Sequence, residues 1–242
     1  AHPTALDPDG MLRIDGRRVF ILGLYENAKD DAFAREAAEA GFNLIRANPA
    51  QEDLDRAQAH GLQAWIPLGG LPAASAAQKE SLARVVNQFK SHPALAVWEA
   101  PDEALWNVWW TRLNQDQARR TEVESALQKF TGGEEEKQKL ETLAASWRRY
   151  HGSGRYARAE AMEAEIRSLI GMPPAAERLS DWREHLEPLY QQLAAGCEIL
   201  RSADSQHVLW FNHAPRNSLS DLARFGTLAD IVSRSFSRTC ST

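Results

Sequence analysis

An apolar run, Ala94 to Trp98, stops at three carboxylates, Glu99, Asp102 and Glu103, with Pro101 between them. Tryptophans stand on both sides: Trp98 before, and Trp106, Trp109 and Trp110 after. Carboxylates give and take protons, and exposed aromatic faces stack on the apolar face of a sugar ring. A strand ending in this way therefore fits a sugar-cleaving site. A strand followed by a solvated acidic turn fits the same letters equally well.

Other residue types capable of chemistry sit at comparable places. Arg46 ends an apolar run, where a charge needs a partner, and Glu26 or Glu99 can supply one. Glu26 and Asn27 end the first long apolar run, and Asn212 and His213 follow a later one. Each also reads as an ordinary polar loop start. Trp65 lies within a run and reads as core. Trp106, Trp109 and Trp110 are either a sugar platform or packing between the helical region and the strands. His60 and His92 adjoin Gly or Pro turns and read as structural. No His, Cys and acid cluster has metal-ligand spacing, so neither a metal nor another cofactor is expected.

These residues must be positioned by elements. MLRIDGRRVFILGLY turns at Asp15-Gly16, a strong hairpin signal, and its second arm predicts a continuous strand from Val19 to Tyr25. Helices are predicted over 30–40, 52–60 and 76–90. The first two are closed by Gly41 and Gly61. Strands are predicted over 42–47, 62–68 and 94–98. Continuous apolar strands alternating with helices every ~20–30 residues are the signature of a parallel sheet covered by helices. No glycine-rich phosphate loop follows the first strand, which removes the usual support for nucleotide binding.

The rhythm breaks after Trp106. Residues 111–201 are helix-forming and strongly charged, divided by glycine and proline breakers into about four helices. Apolar stripes recur at helical spacing: Leu140, Leu143, Trp147 and Tyr150; Met162, Ile166, Leu169 and Ile170; and Trp182, Leu186, Leu189, Tyr190 and Leu193. Their plain reading is core packing. Strand character returns over 207–211, a helix follows over 218–228, and a sixth strand starts at Asp230-Ile231-Val232. The stretch SRSFSRTCST reads as irregular.

The 242 residues are 43% hydrophobic and 25% charged with a net charge of −5, ordinary for a globular chain. No basic block suits nucleic acid, and no apolar run approaches the ~20 residues of a membrane helix. Cys197 and Cys240 give no disulfide framework. A start at Ala1 rather than Met fits a removed export signal and favours a secreted or periplasmic protein over a cytoplasmic one.

Several of these segments resemble the glycoside hydrolases of the large (β/α)8 clan that includes retaining β-galactosidases, β-mannanases and endoglucanases. LRIDGRRVFILGLYEN resembles the clan's opening and first strand, and GFNLIRAN its second strand. WEAPDEALW resembles the fourth, where the clan reads Asn-Glu-Pro or Asp-Glu-Pro, and LWFNHAPRN the fifth. The resemblance covers 11–110 and 207–232. It implies Glu103 as acid/base and Asp102 as a contact to the sugar beside the cleaved bond. It also implies Glu99 as the acid preceding the catalytic one, Arg46 as the arginine beside the nucleophile, and Asn212 and His213 as cleft lining. Ala104 departs from the usual proline and Asp102 from the commoner asparagine. The clan's nucleophile, a glutamate ending the seventh strand, has no counterpart here: after Asp230 there is no Asp or Glu.

The expected fold is thus α/β, an incomplete (β/α)8 TIM barrel of five to six strands with a helical insertion after strand four. Residues 1–110 carry strands one to four with the hairpin. Residues 111–201 are the insertion and a returning helix. Residues 202–242 carry strands five and six and the tail. The expected activity is hydrolysis of a β-linked glycoside, with Glu103 as acid/base. Glu26, Asn27, Arg46, Glu99, Asp102, Trp106, Asn212 and His213 are the expected carbohydrate contacts. Two alternatives stay open: a non-catalytic carbohydrate-binding protein, and an interaction protein working through its helical insertion. Self-association through an open sheet edge or the insertion is a further expectation.

Overall fold

The computed structural model describes residues 2–176, 178–213 and 218–234. Cys240 and the other residues of 235–242, and residues 214–217, lie outside the described residues. Two compact units form, one of Ala1–Trp106 with Pro188–Thr242 and one of Asn107–Glu187.

The first unit opens with three short antiparallel strands, β1 (Thr4–Leu6), β2 (Leu12–Ile14) and β3 (Arg17–Val19). Asp15 and Gly16 make the β2–β3 turn with φ of 51° and 74°, the left-handed pair that a tight hairpin requires. Strand β1 has only three residues, too few for a readable pattern, and the sequence did not reveal it.

Six parallel strands follow in the order of the chain: β4 (Gly23–Asn27), β5 (Leu44–Arg46), β6 (Gln63–Pro67), β7 (Leu95–Glu99), β8 (Val208–His213) and β9 (Ile231–Arg234). The continuous strand expected from Val19 to Tyr25 is in fact two. β3 ends at Val19, the chain crosses over, and β4 starts at Gly23. Asn43 pins the crossover, accepting from Leu22 N at 2.9 Å and donating to Phe20 O at 2.7 Å. An unbroken apolar run cannot show this break, because each part packs on a different sheet. Strand β9 runs on to Arg234, into the stretch read as irregular.

Helices α1 (Asp31–Glu39), α2 (Gln51–Ala59) and α3 (Ala76–Phe89) connect the first four parallel strands. Asp30 caps α1 by accepting from Phe33 N, and Ser75 with Gln78 forms a capping box on α3. After β7 come α4 (Ala104–Gln128), α5 (Glu134–Gly152), α6 (Tyr156–Leu169), a 3-10 turn (Leu179–His185), α7 (Leu186–Ala203) and, after β8, α8 (Leu219–Gly226). Helix α4 starts directly behind Glu103, earlier than the composition change at residue 111 suggests. Trp182 belongs to the 3-10 turn and not to the stripe of α7.

In the second unit, Leu140, Ala144, Trp147, Ala159, Ile166 and Val123 form one core, with Leu143, Tyr150, Met162, Leu169 and Ile170 packed against it. The first two helical stripes are therefore core.

On one face of the parallel sheet, Leu44, Trp65, Val97 and Val208 meet Leu12 and Ile14 of the leading sheet. This face is apolar toward the start of the strands and polar at their ends. On the opposite face, Trp98 Nε1 donates to Asp204 Oδ2 at 2.8 Å, and His207 Nδ1 lies 2.7 Å from the same oxygen. Burial alone would raise the Asp204 carboxyl. Hydrogen bonds from His207, Trp98 and the Gln206 amide outweigh it and hold the carboxyl below its ordinary value. Asp204→Ala leaves these buried donors unpaired, so it is expected to cost about 2–4 kcal/mol in urea unfolding. Because the folded pKa is depressed, this stabilisation is present above the ordinary carboxylate pKa. It is lost as pH falls through the folded value, and the gap between wild type and variant should close there.

Candidate active site

Alternation along the strands sends every second side chain to one face. Tyr25 and Asn27 of β4, Arg46 of β5, Trp65 of β6, Glu99 of β7, and Trp210 and Asn212 of β8 share the face that carries the leading sheet. At its centre, Tyr25, Trp65 and Trp210 form a ring cluster. Centroids are 5.4 Å apart for Tyr25–Trp65 and Trp65–Trp210, and 6.3 Å for Tyr25–Trp210.

Glu99 is 1% exposed and lies against this cluster. Tyr25 Oη donates to its Oε1 at 2.7 Å and Trp65 Nε1 to its Oε2 at 3.1 Å. Burial pushes the Glu99 carboxyl above its ordinary value, and the charge of Asp102 adds to the push. The two donations and the charge of Arg46 oppose it without cancelling it. The Tyr25 phenol is raised too, by burial and by its bonds to Glu99 and Asp102. Both oxygens of Glu99 are engaged and covered, so it holds Tyr25 in place and is not open to a substrate.

The chain after Glu99 does not continue as an extended strand. Asp102 and Glu103 form a turn, with Asp102 exposed and Glu103 half-buried. Asp102 Oδ1 accepts from Asn212 Nδ2 at 2.7 Å, and Glu103 N donates to Asn212 O at 3.0 Å. The two acids are thus tied to the end of β8.

Glu103 has φ of 47°, a conformation costly for a residue with a Cβ. Two other described non-glycine residues share it. Asp15 is in the hairpin turn, and Leu71 is fully buried. The half-exposed Glu103 has neither reason, and its carboxylate has no described hydrogen-bond partner. Strain held at such a residue points toward function.

The other expected residues divide. Asn27 and Arg46 are partners in register between β4 and β5. Asn27 Oδ1 and Arg46 Nε are both buried with no hydrogen-bond partner among the described residues, an acceptor and a donor side by side. Glu26 is exposed, and alternation directs it to the opposite face from Tyr25 and Asn27. His213 also alternates away from Asn212. It is 1% exposed and packs edge-on to Phe211 at 5.9 Å. Trp106 sits half-buried on the first turn of α4. Tyr25, Trp65 and Trp210 were missed from sequence. The available signal was the period of two, which puts Tyr25 on the face of Asn27 and Trp210 on that of Asn212. Among the described residues no three His, Cys, Asp or Glu are grouped to hold a metal.

Compared by sequence, the chain matches no family model and no curated protein. Solved structures do match. Bacteroides uniformis β-glucuronidase 2, with cyclophellitol-6-carboxylate aziridine covalently bound, is 14% identical with a TM-score of 0.51 over 97% of this chain and 23% of that one. A second Bacteroides uniformis β-glucuronidase structure gives 14% and 0.50 over 97% and 23%. A β-galactosidase from psychrophilic Marinomonas ef1 gives 14% and 0.48 over 90% and 41%. The chain spans less than a quarter of the two β-glucuronidases. At this identity the likeness is one of fold: parallel strands and helices arranged as in part of a glycoside hydrolase.

Proposed function

We propose that this chain is a glycoside hydrolase-like protein acting on a β-linked sugar, with Glu103 as the proton donor to the leaving oxygen. The observation that carries the reading is Glu103 itself. It is a carboxylate in a strained turn at the end of a central strand, fixed through its backbone to Asn212 and with no partner for its oxygens among the described residues. Asp102, held by Asn212, stands beside it for a sugar hydroxyl, and the half-exposed Tyr25 ring offers a stacking face. The six strands are then an incomplete (β/α)8 barrel. Edge strands β4 and β9, with Phe20, Leu22 and Val232 exposed near them, are where further strands complete the sheet.

Retaining hydrolysis also needs a nucleophile about 5–5.5 Å from the acid. Glu99 is closed to this role. Arg46 Nε supplies a buried donor suited to holding such a carboxylate when it comes from outside the described residues. The reading is tested with methylumbelliferyl β-glycosides and the full chain, with and without azide. Azide can attack the anomeric carbon as the bond to the leaving oxygen breaks and Glu103 delivers its proton there. Release of methylumbelliferone and a glycosyl azide from one sugar of the panel supports the reading. Neither turnover nor sugar binding by any member contradicts it. Binding without turnover, unchanged by Glu103→Gln, supports the alternative of a carbohydrate-binding protein, which the burial of Glu99 favours.

A further inference from the structure

The second unit contains a cavity of about 490 Å³ that the strand-end site does not use. One wall is charged. Glu163 and Arg167 of α6, 2% and 4% exposed, pair at 2.8 Å. Arg119 of α4 reaches Glu163 at 3.2 Å and Asp116 at 2.5 Å, and Asp116 also meets His151 Nε2 at 2.5 Å. Glu160 accepts from Ser180 N at 3.0 Å and Ser180 Oγ at 2.5 Å. Ala164 of α6 and Met172, Pro174 and Ala175 add apolar lining.

Burying this many charges is costly compared with an apolar core of the same volume. Here several of the charges line an open space. The carboxylates on the wall are already satisfied by internal donors. The arginines are not all so engaged. Arg178, 61% exposed at the rim, places Nε on Asp181 at 2.8 Å, and its two terminal nitrogens have no described partner. A second cavity of about 350 Å³ shares Arg119 and Arg178 and adds Arg112 and Asp116, and Asp116 is already engaged by Arg119 and His151. Pockets of this size, mostly apolar with a few directed polar groups, suit small organic ligands.

We propose that the second unit binds a small amphipathic carboxylate. Its carboxylate sits on the guanidinium fork of Arg178, which matches it in a bidentate way, and its hydrocarbon lies against Ala164, Met172 and Pro174. This site is independent of any sugar chemistry at the strand ends.

Calorimetric titration of the full chain with octanoate, and separately with octanol, tests it. Octanoate should bind at least tenfold more tightly than octanol. Arg178→Gln should remove that preference, and Ala164→Phe, which fills the cavity from an exposed helix position, should abolish binding of both. Thermal unfolding of the two variants should match wild type, since neither position is buried. No octanoate binding, equal binding of octanol, or octanoate affinity unchanged in either variant would overturn the proposal. The cavity would then be a solvated gap above a structural ion-pair network.

Discussion

A Glu103→Gln variant is expected to lose about 10²–10⁴-fold in turnover of an alkyl β-glycoside while keeping its affinity for the sugar. Glutamine keeps the shape and the hydrogen bond from its backbone to Asn212 O but has no proton to give the leaving oxygen. The loss should be largest for poor leaving groups, which depend most on protonation, and small for strongly activated ones. Stability should stay within about 0.5 kcal/mol of wild type, because the strained backbone is retained. Glu103→Gly separates the two properties. It should be equally inactive yet more stable by about 1 kcal/mol, since glycine adopts positive φ without steric cost. Urea unfolding beside a turnover assay reads both. A glycine variant no more stable than wild type would mean that Glu103 is not strained, and the argument from strain would fall.

The second large effect concerns Trp65. Trp65→Ala removes a 1% exposed side chain that packs on Tyr25 and Trp210 and donates to Glu99. Deleting a buried tryptophan costs about 3–5 kcal/mol from the cavity alone, against a typical total of about 5–15 kcal/mol. The melting temperature should fall by about 10 °C or more. Trp65→Phe keeps most of the ring and removes the N–H. Its cost should be much smaller, and the Glu99 carboxyl should titrate higher still, because a donor to its charged form is gone. Carboxyl titration followed by NMR in the phenylalanine variant checks this. A Glu99 that titrates lower would show that the bond from Trp65 does not favour the charged form.

The sign for wild-type Glu99 follows from its raised pKa. A carboxyl that titrates higher when folded stabilises the fold below its ordinary pKa. It withdraws that stabilisation as pH rises through the folded value. The site therefore carries a buried acid that works against stability at neutral pH.

Much of the frame was legible in the sequence because it depends on local rules. Asp15-Gly16 dictates its turn, Gly41 and Gly61 close their helices with positive φ, and the buried strand β7 is an unbroken apolar run ending at its first acid. The acids themselves were legible for the same reason: polar residues that stop a buried strand mark its end. What could not be read depends on partners distant in the chain. An aromatic inside a strand reads as core. That Trp65 and Tyr25 each aim a polar atom at Glu99 follows only when β4, β6 and β7 lie in one sheet. The left-handed turn at Glu103 was hidden for a different reason. Glutamate carries no preference for that conformation, so the strain is imposed by α4 starting at Ala104 and by the tie to Asn212. Glu26 and His213 were placed by closeness to strand ends, and alternation sends both to the face opposite Asn27 and Asn212.

The most direct test is a crystal structure of the full chain soaked with a phenyl thio-β-glycoside of the sugar that the panel selects, or with a mixture of such glycosides if none is turned over. The glycosidic sulfur should lie within about 3–3.5 Å of a Glu103 carboxyl oxygen, with a sugar hydroxyl on Asp102 and the ring against Tyr25. A sugar bound elsewhere, or bound with Glu103 pointing away from the glycosidic atom, would contradict the account.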